Sequence, residues 1–418
     1  MRVFLQLRPF VWFCQFFGII PFFMVIDDSP AKTFKKFSFS LRHPVTWWFS
    51  FLFISLTVLP VLDIQVIWRI LYHADDVPTH IGLPPIFISF ILQEHVFSFI
   101  LLASARYLIC KHACIRRAVS LVQKVNNELM VEDMPSEYIP AVRKHVIAAI
   151  LSPLIASISV LVSNPVIFNS KIQFSGLSFA VLNLISRCFI IILVMGLILL
   201  CYLCYYIVSW YIRLIALNLE RPQLLPEVEM RLENVSETRK TAWSTVRDTN
   251  TKQKLRKSKR MFGYLCQALV ELNKAFSFPA LVFLTLRLIS SAFSLYVAIS
   301  GLLNADNLIF RALIPAFAMI SIVGIFGILI IFRAADLPII QMRKLRDNIF
   351  CILTEKNDLD MNMKLEAVAF LQVISEERVR LSAAGLFSVG MNVVPSVSCF
   401  SFYKLVNFVC TLLFVCRI

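Results

Sequence analysis

Four ionisable residues sit deep inside apolar runs of the chain: Asp63, Glu94, Arg187 and Arg287. Each lies 12 to 18 residues into its run, near the midplane of a bilayer that the run would cross. A charge at that depth is expensive, so it pairs with an opposite charge or faces a wet cavity. Two acids and two bases balance, which leaves two kinds of chemistry open. Either each arginine is held by one carboxylate in an intramembrane ion pair, or one or both guanidinium groups reach a ligand cavity. Phe90, one helical turn from Glu94, stands with Asn183, Ser290, Ser294, Tyr296 and Phe317 among the residues able to line the outer half of such a cavity. Ligand cavities are mostly apolar and aromatic with a few polar groups; a helix-packing role for each residue is the alternative.

Catalytic chemistry is not written in the sequence. No His, Glu and Cys cluster has metal-ligand spacing, and neither a glycine-rich phosphate loop nor a nucleophile motif occurs. No enzymatic activity, metal or other cofactor is therefore expected. The 11 cysteines are scattered through hydrophobic runs. The single C-x-x-C, Cys201 to Cys204, falls inside one of them, so all read as small core hydrophobes. Asn234-Val-Ser is a glycosylation sequon in a loop expected to be cytosolic, where it has no use.

What must position these residues is a set of membrane helices. The 418 residues are 58% hydrophobic and 16% charged, with a mean hydropathy of +0.76, where soluble domains are about a quarter charged. Seven windows reach the roughly 20 apolar residues of a membrane span: 45–68, 81–107, 145–168, 174–212, 275–303, 308–332 and 386–416, here S1 to S7. The fold class this predicts is all-α: a polytopic membrane protein of seven transmembrane helices. S4 is longer than a bilayer requires, so its end, LCYYIVSWYIRL, should continue as a helix beyond the membrane. Only 10 glycines against 37 phenylalanines predicts bulky, lipid-facing spans without seams of small residues.

Basic residues set the orientation, because they are retained on the cytosolic side. Of the 41 Lys and Arg, 34 fall in segments 1–44, 106–144, 213–274 and 333–380. The N-terminus is thus expected in the cytosol and the C-terminus outside, the reverse of a G-protein-coupled receptor, so no G protein is expected as partner. The same distribution accounts for the formal charge of +15 without nucleic acid, since no loop carries a nucleic-acid-binding motif. The opening MRVFLQLRPFVWFCQFFGIIPFF is interrupted by Arg8, Pro9 and Pro21 and lacks a small-residue cleavage site. It reads as an interfacial segment on the cytosolic leaflet. Segments 225–273 and 339–380 mix charges with apolar residues at helical spacing, as in Leu345, Ile349, Ile352 and Leu353, then Leu365, Val368, Leu371 and Ile374. They should form helices packed together beneath the membrane.

The stretch FLQVISEERVRLSAAGLFSVGMNVV leads into S7. It closely resembles the segment before the last helix of insect gustatory receptors, with Phe370, Leu371, Gln372, Ser382, Ala383, Ala384, Gly385, Leu386 and Phe387 in the places of that family's motif and Leu381 where the motif has its second Phe. The opening LRPFVWFCQFFGIIPFF resembles that family too, and the architecture agrees along the whole chain. The resemblance implies a ligand-gated, non-selective cation channel in the plasma membrane that detects a small-molecule tastant, as a homotetramer or a heterotetramer with related receptors. The ligand pocket would lie among S2 to S6. The implied organisation is a cytosolic segment 1–44, a six-helix sensing region 45–338 with cytosolic helices at 213–274, anchor helices 339–387, and a pore helix with an extracellular end at 388–418. In the family the pore helix carries Thr-Tyr and, five residues on, Gln-Phe. Here Tyr403-Lys404 and Cys410-Thr411 occupy those places, a departure that bears on conduction more than on the fold.

On a helical projection of S7, Ser401, Lys404, Asn407 and Thr411 share a sector with Val397, Phe400, Phe408 and Val415. This polar stripe makes Ser401, Lys404, Asn407, Phe408, Thr411 and Val415 the expected pore-lining face. Two rival readings stand beside the channel. A secondary transporter would show internal repeats and Gly- or Pro-broken spans in matching places, which are not seen; a receptor-like auxiliary subunit would have no working pore of its own.

Overall fold

The apolar runs fold into helices far longer than the spans they contain. The computed structural model describes residues 6–20, 23–26, 34–38, most of 40–58 and of 99–110, then 111–129, 138–162, 177–220, 237–303, 308–355, 361–375 and 380–390. In chain order these form α1 (Arg8–Phe16), β1 (Phe23–Ile26), β2 (Phe34–Ser38), α2 (His112–Glu128), α3 (Tyr138–Val162), α4 (Leu177–Glu220), α5 (Glu237–Leu303), α6 (Leu308–Glu355), α7 (Met361–Ser375), β3 (Ser382–Ala383) and β4 (Phe387–Ser388). The fold is nearly all helical, with two small antiparallel hairpins, β1–β2 and β3–β4, as the exceptions among the described residues.

At 1.5 Å per residue the 67 residues of α5 reach about 100 Å and the 48 of α6 about 70 Å, whereas a hydrocarbon core is about 30 Å thick. Each is therefore one rod running from the expected cytosolic segment into the membrane. The 44 residues of α4 likewise continue past the apolar run to Glu220. Among the described residues, four helical stretches are long and apolar enough to cross a bilayer: Val142–Ser159, Cys188–Leu219, Lys252–Ser291 and Ser321–Thr354. Their outer faces are apolar stripes at helical spacing, Ile147, Leu151, Ile155 and Ile158 on α3 and Ile322, Ile325, Phe326 and Leu329 on α6, all exposed on the protein surface. Exposed apolar stripes of this extent belong against lipid.

The core runs along α4, where Leu193, Tyr205, Tyr211, Ile212 and Ile215 are buried between α3, α5 and α6. The small helix α2 lies on α5 through Ala118, Val122 and Val125, one buried face at helical spacing. Tyr211 Oη donates a 2.9 Å hydrogen bond to Asn126 Oδ1 in that interior, the partner that a buried amide needs. At the N-terminus α1 buries Phe10, Val11 and Cys14 while Trp12 and Phe16 stay exposed. The Arg8 guanidinium lies 4.4 Å from the Trp12 ring centre, and Trp48 Nε1 donates to the Phe16 carbonyl at 2.7 Å. Exposed tryptophans beside an arginine are what an interfacial segment presents to headgroups.

Two expectations are corrected by the packing. Close approach does rest on glycine at three positions, two of them between helices. A Cβ on Gly327 would stand 2.9 Å from Phe283 Cζ of α5 and 3.2 Å from Ile198 Cδ1 of α4; one on Gly324 would stand 2.7 Å from Ser291 Oγ; and Gly196 admits the Ile19 side chain. A low total of glycines did not exclude a few well-placed ones. In α7 the buried face is Met363, Ala367, Phe370 and Ile374, whereas Leu365 and Val368 are exposed and Leu371 is half-buried. Of the stripe read from the sequence only Ile374 lies on that face, because a short helix with apolar residues on most sides offers more than one apolar stripe. The stripe in α6 holds, with Leu345, Ile349 and Ile352 buried.

Candidate functional site

The junction before S7 is a tight hairpin built by the stretch LSAAGLFSV. Ser382 pairs with Ser388 and Ala383 with Phe387. The Leu386 amide donates to the Ala383 carbonyl at 3.0 Å and closes the turn. Both central residues have positive φ, 51° at Ala384 and 81° at Gly385, a conformation that glycine adopts without strain and alanine does not. Ser382 Oγ accepts from the Gly385 amide at 2.7 Å, and the Val389 amide donates to the Leu381 carbonyl at 2.7 Å. Leu381, Ala383 and Val389 are buried, so the hairpin has one apolar side packed inward and an exposed tip at Leu386.

One side chain of α5 ties this hairpin down. Asn273 Nδ2 donates to the Arg380 carbonyl at 3.2 Å, and Asn273 Oδ1 accepts from the Ser382 amide at 3.0 Å. An amide with one donor and one acceptor thus grips the backbone on both sides of Leu381. Immediately upstream, α7 packs on α5 with the Phe370 and Phe262 rings 5.7 Å apart and both side chains buried. On their surface Arg256 Nε donates to Glu366 Oε1 at 2.8 Å while Lys259 Nζ lies 3.8 Å from Glu366 Oε2. The Arg256 hydrogen bond holds the Glu366 carboxyl below the usual range. Motif residues noticed in the sequence therefore have physical duties: Phe370 fills the α5–α7 seam, Ser382 caps the turn and Gly385 permits it. Asn273 carried no such signal, because its partners lie more than 100 residues away.

Three of the expected cavity residues share a face of α5. Arg287, Ser290 and Ser294 recur at spacings of three and four, the neighbours on a helix surface. Ser290 and Ser294 are buried, and Ser294 Oγ has no hydrogen-bond partner among the described residues. Arg287 is half-buried, with its guanidinium 5.7 Å from the Phe283 ring centre, and its Cδ faces Gly324 of α6. Asn183 and Arg187 lie in α4, Tyr296 in α5 and Phe317 in α6, but their side chains are outside the described residues. So are Asp63, Phe90, Glu94 and the whole stripe of Ser401, Lys404, Asn407, Phe408, Thr411 and Val415.

The ion pairs expected of Arg187 and Arg287 with Glu94 or Asp63 are open to a charge exchange. Reversing one member should abolish most surface expression, and exchanging both members of the true pair should restore part of it, since a lone charge in a span is expensive. Surface labelling of intact cells reads this directly; unchanged labelling for all four single neutralisations would exclude the pairing.

The chain matches the family described as 7tm chemosensory receptor over residues 7–409. No curated protein matches it in sequence. Its fold is similar to that of the insect olfactory receptor OR5 from Machilis hrabei. The structure in complex with eugenol is matched with a TM-score of 0.61 at 10% identity, covering 97% of both chains. A second structure of that receptor gives a TM-score of 0.63 at 9% identity, over 96% of this chain and 97% of the other.

Proposed function

The chain belongs to the 7tm chemosensory receptor family, a family of membrane receptors and not of enzymes, and within it we propose a gustatory receptor: a ligand-gated, non-selective cation channel that opens on binding a small-molecule tastant. The observation that carries this reading is the grip of Asn273 on the hairpin at the base of S7. The helix that bears Arg287, Ser290 and Ser294 on one face also holds the start of the expected pore helix, so a ligand that shifts α5 has a direct mechanical route to the pore. The Ser294 hydroxyl, buried and without a hydrogen-bond partner among the described residues, supports a cavity beside that face, because a buried hydroxyl needs a polar group, a ligand or water to meet it. The olfactory receptor of similar fold was solved with eugenol, a small, mostly apolar aromatic molecule of the kind such a cavity would take.

A pore made of one helix per subunit needs several subunits, and closed rings are the usual solution. The tetramer would be held mainly by 339–416, and Phe350, Met361, Leu365 and Val368 are exposed apolar side chains in that region. A native mass of four chains in mild detergent is the expected result, and a monomeric mass would contradict the assembly.

Plasma-membrane insertion would place the N-terminus in the cytosol and the C-terminus outside. With epitope tags at both ends, antibody on intact cells should label the C-terminal tag alone; labelling at the N-terminus would contradict the orientation. The replacement of both family pore pairs by Tyr403-Lys404 and Cys410-Thr411 favours one second reading, an auxiliary subunit that conducts only with related receptors.

A further inference from the structure

Outside the expected ligand cavity, the described residues form a cleft of about 640 Å³ between α2, α5 and α7. Three cations line it, Arg117, Lys124 and Lys274, with a single carboxylate, Glu271. Lys274 Nζ is bonded to Glu271 Oε1 at 2.6 Å and Arg117 Nη1 stands 4.0 Å from Glu271 Oε2. The carboxylate therefore holds Lys274 and stands within reach of Arg117, and the cleft keeps a net excess of positive charge. Lys124 Nζ lies 5.7 Å from the Tyr264 ring centre, ten residues and so about 15 Å along α5 from Lys274. Exposed Val270 and Val373 complete the rim.

The position of the cleft limits its occupant. Lys274 is the last charge on α5 before the apolar run from Ala275 to Leu286, so the cleft opens where S5 enters the membrane. We propose that it binds the headgroup of a polyanionic lipid of the cytosolic leaflet, in chemical class a polyphosphorylated inositol lipid. Basic pockets at this level recognise such headgroups. Arginine supplies paired donors to a phosphate and lysine compact point charges. The three cations and Glu271 leave a net charge of plus two, so a lipid with one net negative charge would leave half of it unmatched, and a soluble anion would gain nothing from the cleft's place at the start of the apolar run. Bound there, the lipid would clamp α2 and α7 onto α5 and so steady the support of the hairpin. The inference rests on the cytosolic orientation proposed above, but binding to purified protein is read whichever way the chain is inserted.

The full chain in phosphatidylcholine nanodiscs would be titrated with a fluorescent short-chain bisphosphorylated inositol lipid. Saturable binding is expected, weakened at least about tenfold by Arg117→Gln, Lys124→Gln and Lys274→Gln together. A charge-matched variant with Arg116→Gln, Lys257→Gln and Arg260→Gln, exposed residues that do not line the cleft, should bind within about twofold of the parent. The free inositol phosphate headgroup should compete at least about tenfold more weakly than the lipid. Equal losses in the two triple variants would mean diffuse attraction and overturn the site. Competition by the headgroup equal to that of the lipid would make the ligand a soluble anion and overturn the lipid assignment. If the first triple variant does not fold, Gln267→Trp, which fills the cleft and leaves its charges, should give the same loss; undiminished binding would overturn the proposal.

Discussion

Asn273→Ala is expected to lower the maximal ligand-evoked current at least about tenfold while surface expression stays within about twofold. The substitution removes a donor and an acceptor at once and leaves the Arg380 carbonyl and the Ser382 amide without their partner. Unmet backbone groups cost about 1–3 kcal/mol each when buried, and these are partly buried, so the docking of the hairpin on α5 should weaken by about 2 kcal/mol in all. The hairpin itself should survive, because its turn is closed by Ser382 Oγ, the Leu386 amide and the Val389 amide and does not depend on Asn273. The chain should therefore fold and reach the surface with α5 uncoupled from S7. Asn273→Asp keeps an acceptor for the Ser382 amide and loses the donor to Arg380, so it should fall between parent and alanine variant. A concentration–response curve for each variant, normalised to surface label, separates the two readings: loss of maximal current with label retained is coupling, and loss of both in proportion is misfolding. An alanine variant with the parent's maximal current would remove Asn273 from the gating route.

Lys404→Tyr should increase cation current by roughly tenfold in the proposed homotetramer. Lys404 stands where the family's pore helix has the tyrosine of its Thr-Tyr pair, on the stripe with Ser401, Asn407 and Thr411. If that stripe faces the pore, four ammonium groups form one ring, and rings of lysine oppose cations and admit anions. Two unit charges about 8 Å apart repel by roughly 2 kcal/mol at an effective dielectric near 20. That is a factor above ten in a binding or barrier term. The lysines would then lose protons or block cations, and tyrosine relieves both. Reversal potentials in asymmetric salt read selectivity before and after the change. A parent homotetramer already fully cation-selective, and unmoved by the substitution, would show that Lys404 faces away from the pore.

The sequence carried the fold class because its signals were long and redundant. S4, S5 and S6 each hold an apolar run that no soluble helix needs, and the structure places all three in the long helices α4, α5 and α6. The continuation of α6 past its predicted apolar run was legible too, because 339–355 keeps Leu345, Ile349 and Ile352 on one face with no Gly or Pro between them. In α7 the same reasoning chose Leu365 and Val368, although Met363, Ala367 and Phe370 are the buried side. A helix of 15 residues with apolar side chains nearly all round does not specify a face by pattern alone; the face is set by what it packs on, here Phe262. The glycine seam at Gly324 and Gly327 was missed for a related reason, since composition counts residues and close approach depends on where two of them fall.

The candidate site divides in the same way. The stretch was visible as a motif but its hairpin was not read from it, although Ala384-Gly385 at positive φ and a serine able to cap the turn are local features. Its attachment was not visible, because Asn273 is a single amide in a charged helix with nothing nearby to mark it. Of the residues expected to line the ligand cavity, Ser290 and Ser294 share a buried face with Arg287, a grouping that helical spacing made legible. Which acid meets which arginine depends on the pairing of S1 and S2 with S4 and S5, and no periodicity in one helix encodes its neighbour.

Single-channel recording from the purified chain alone, reconstituted in a planar bilayer, tests the central claim most directly. With a small aromatic ligand such as eugenol as first probe and a panel of tastants after it, discrete steps of current that appear with ligand and reverse on washout are the predicted result. Substrate flux without steps would make the chain a transporter, and silence across the panel from tetramers of correct mass would contradict an independent channel and leave the auxiliary subunit.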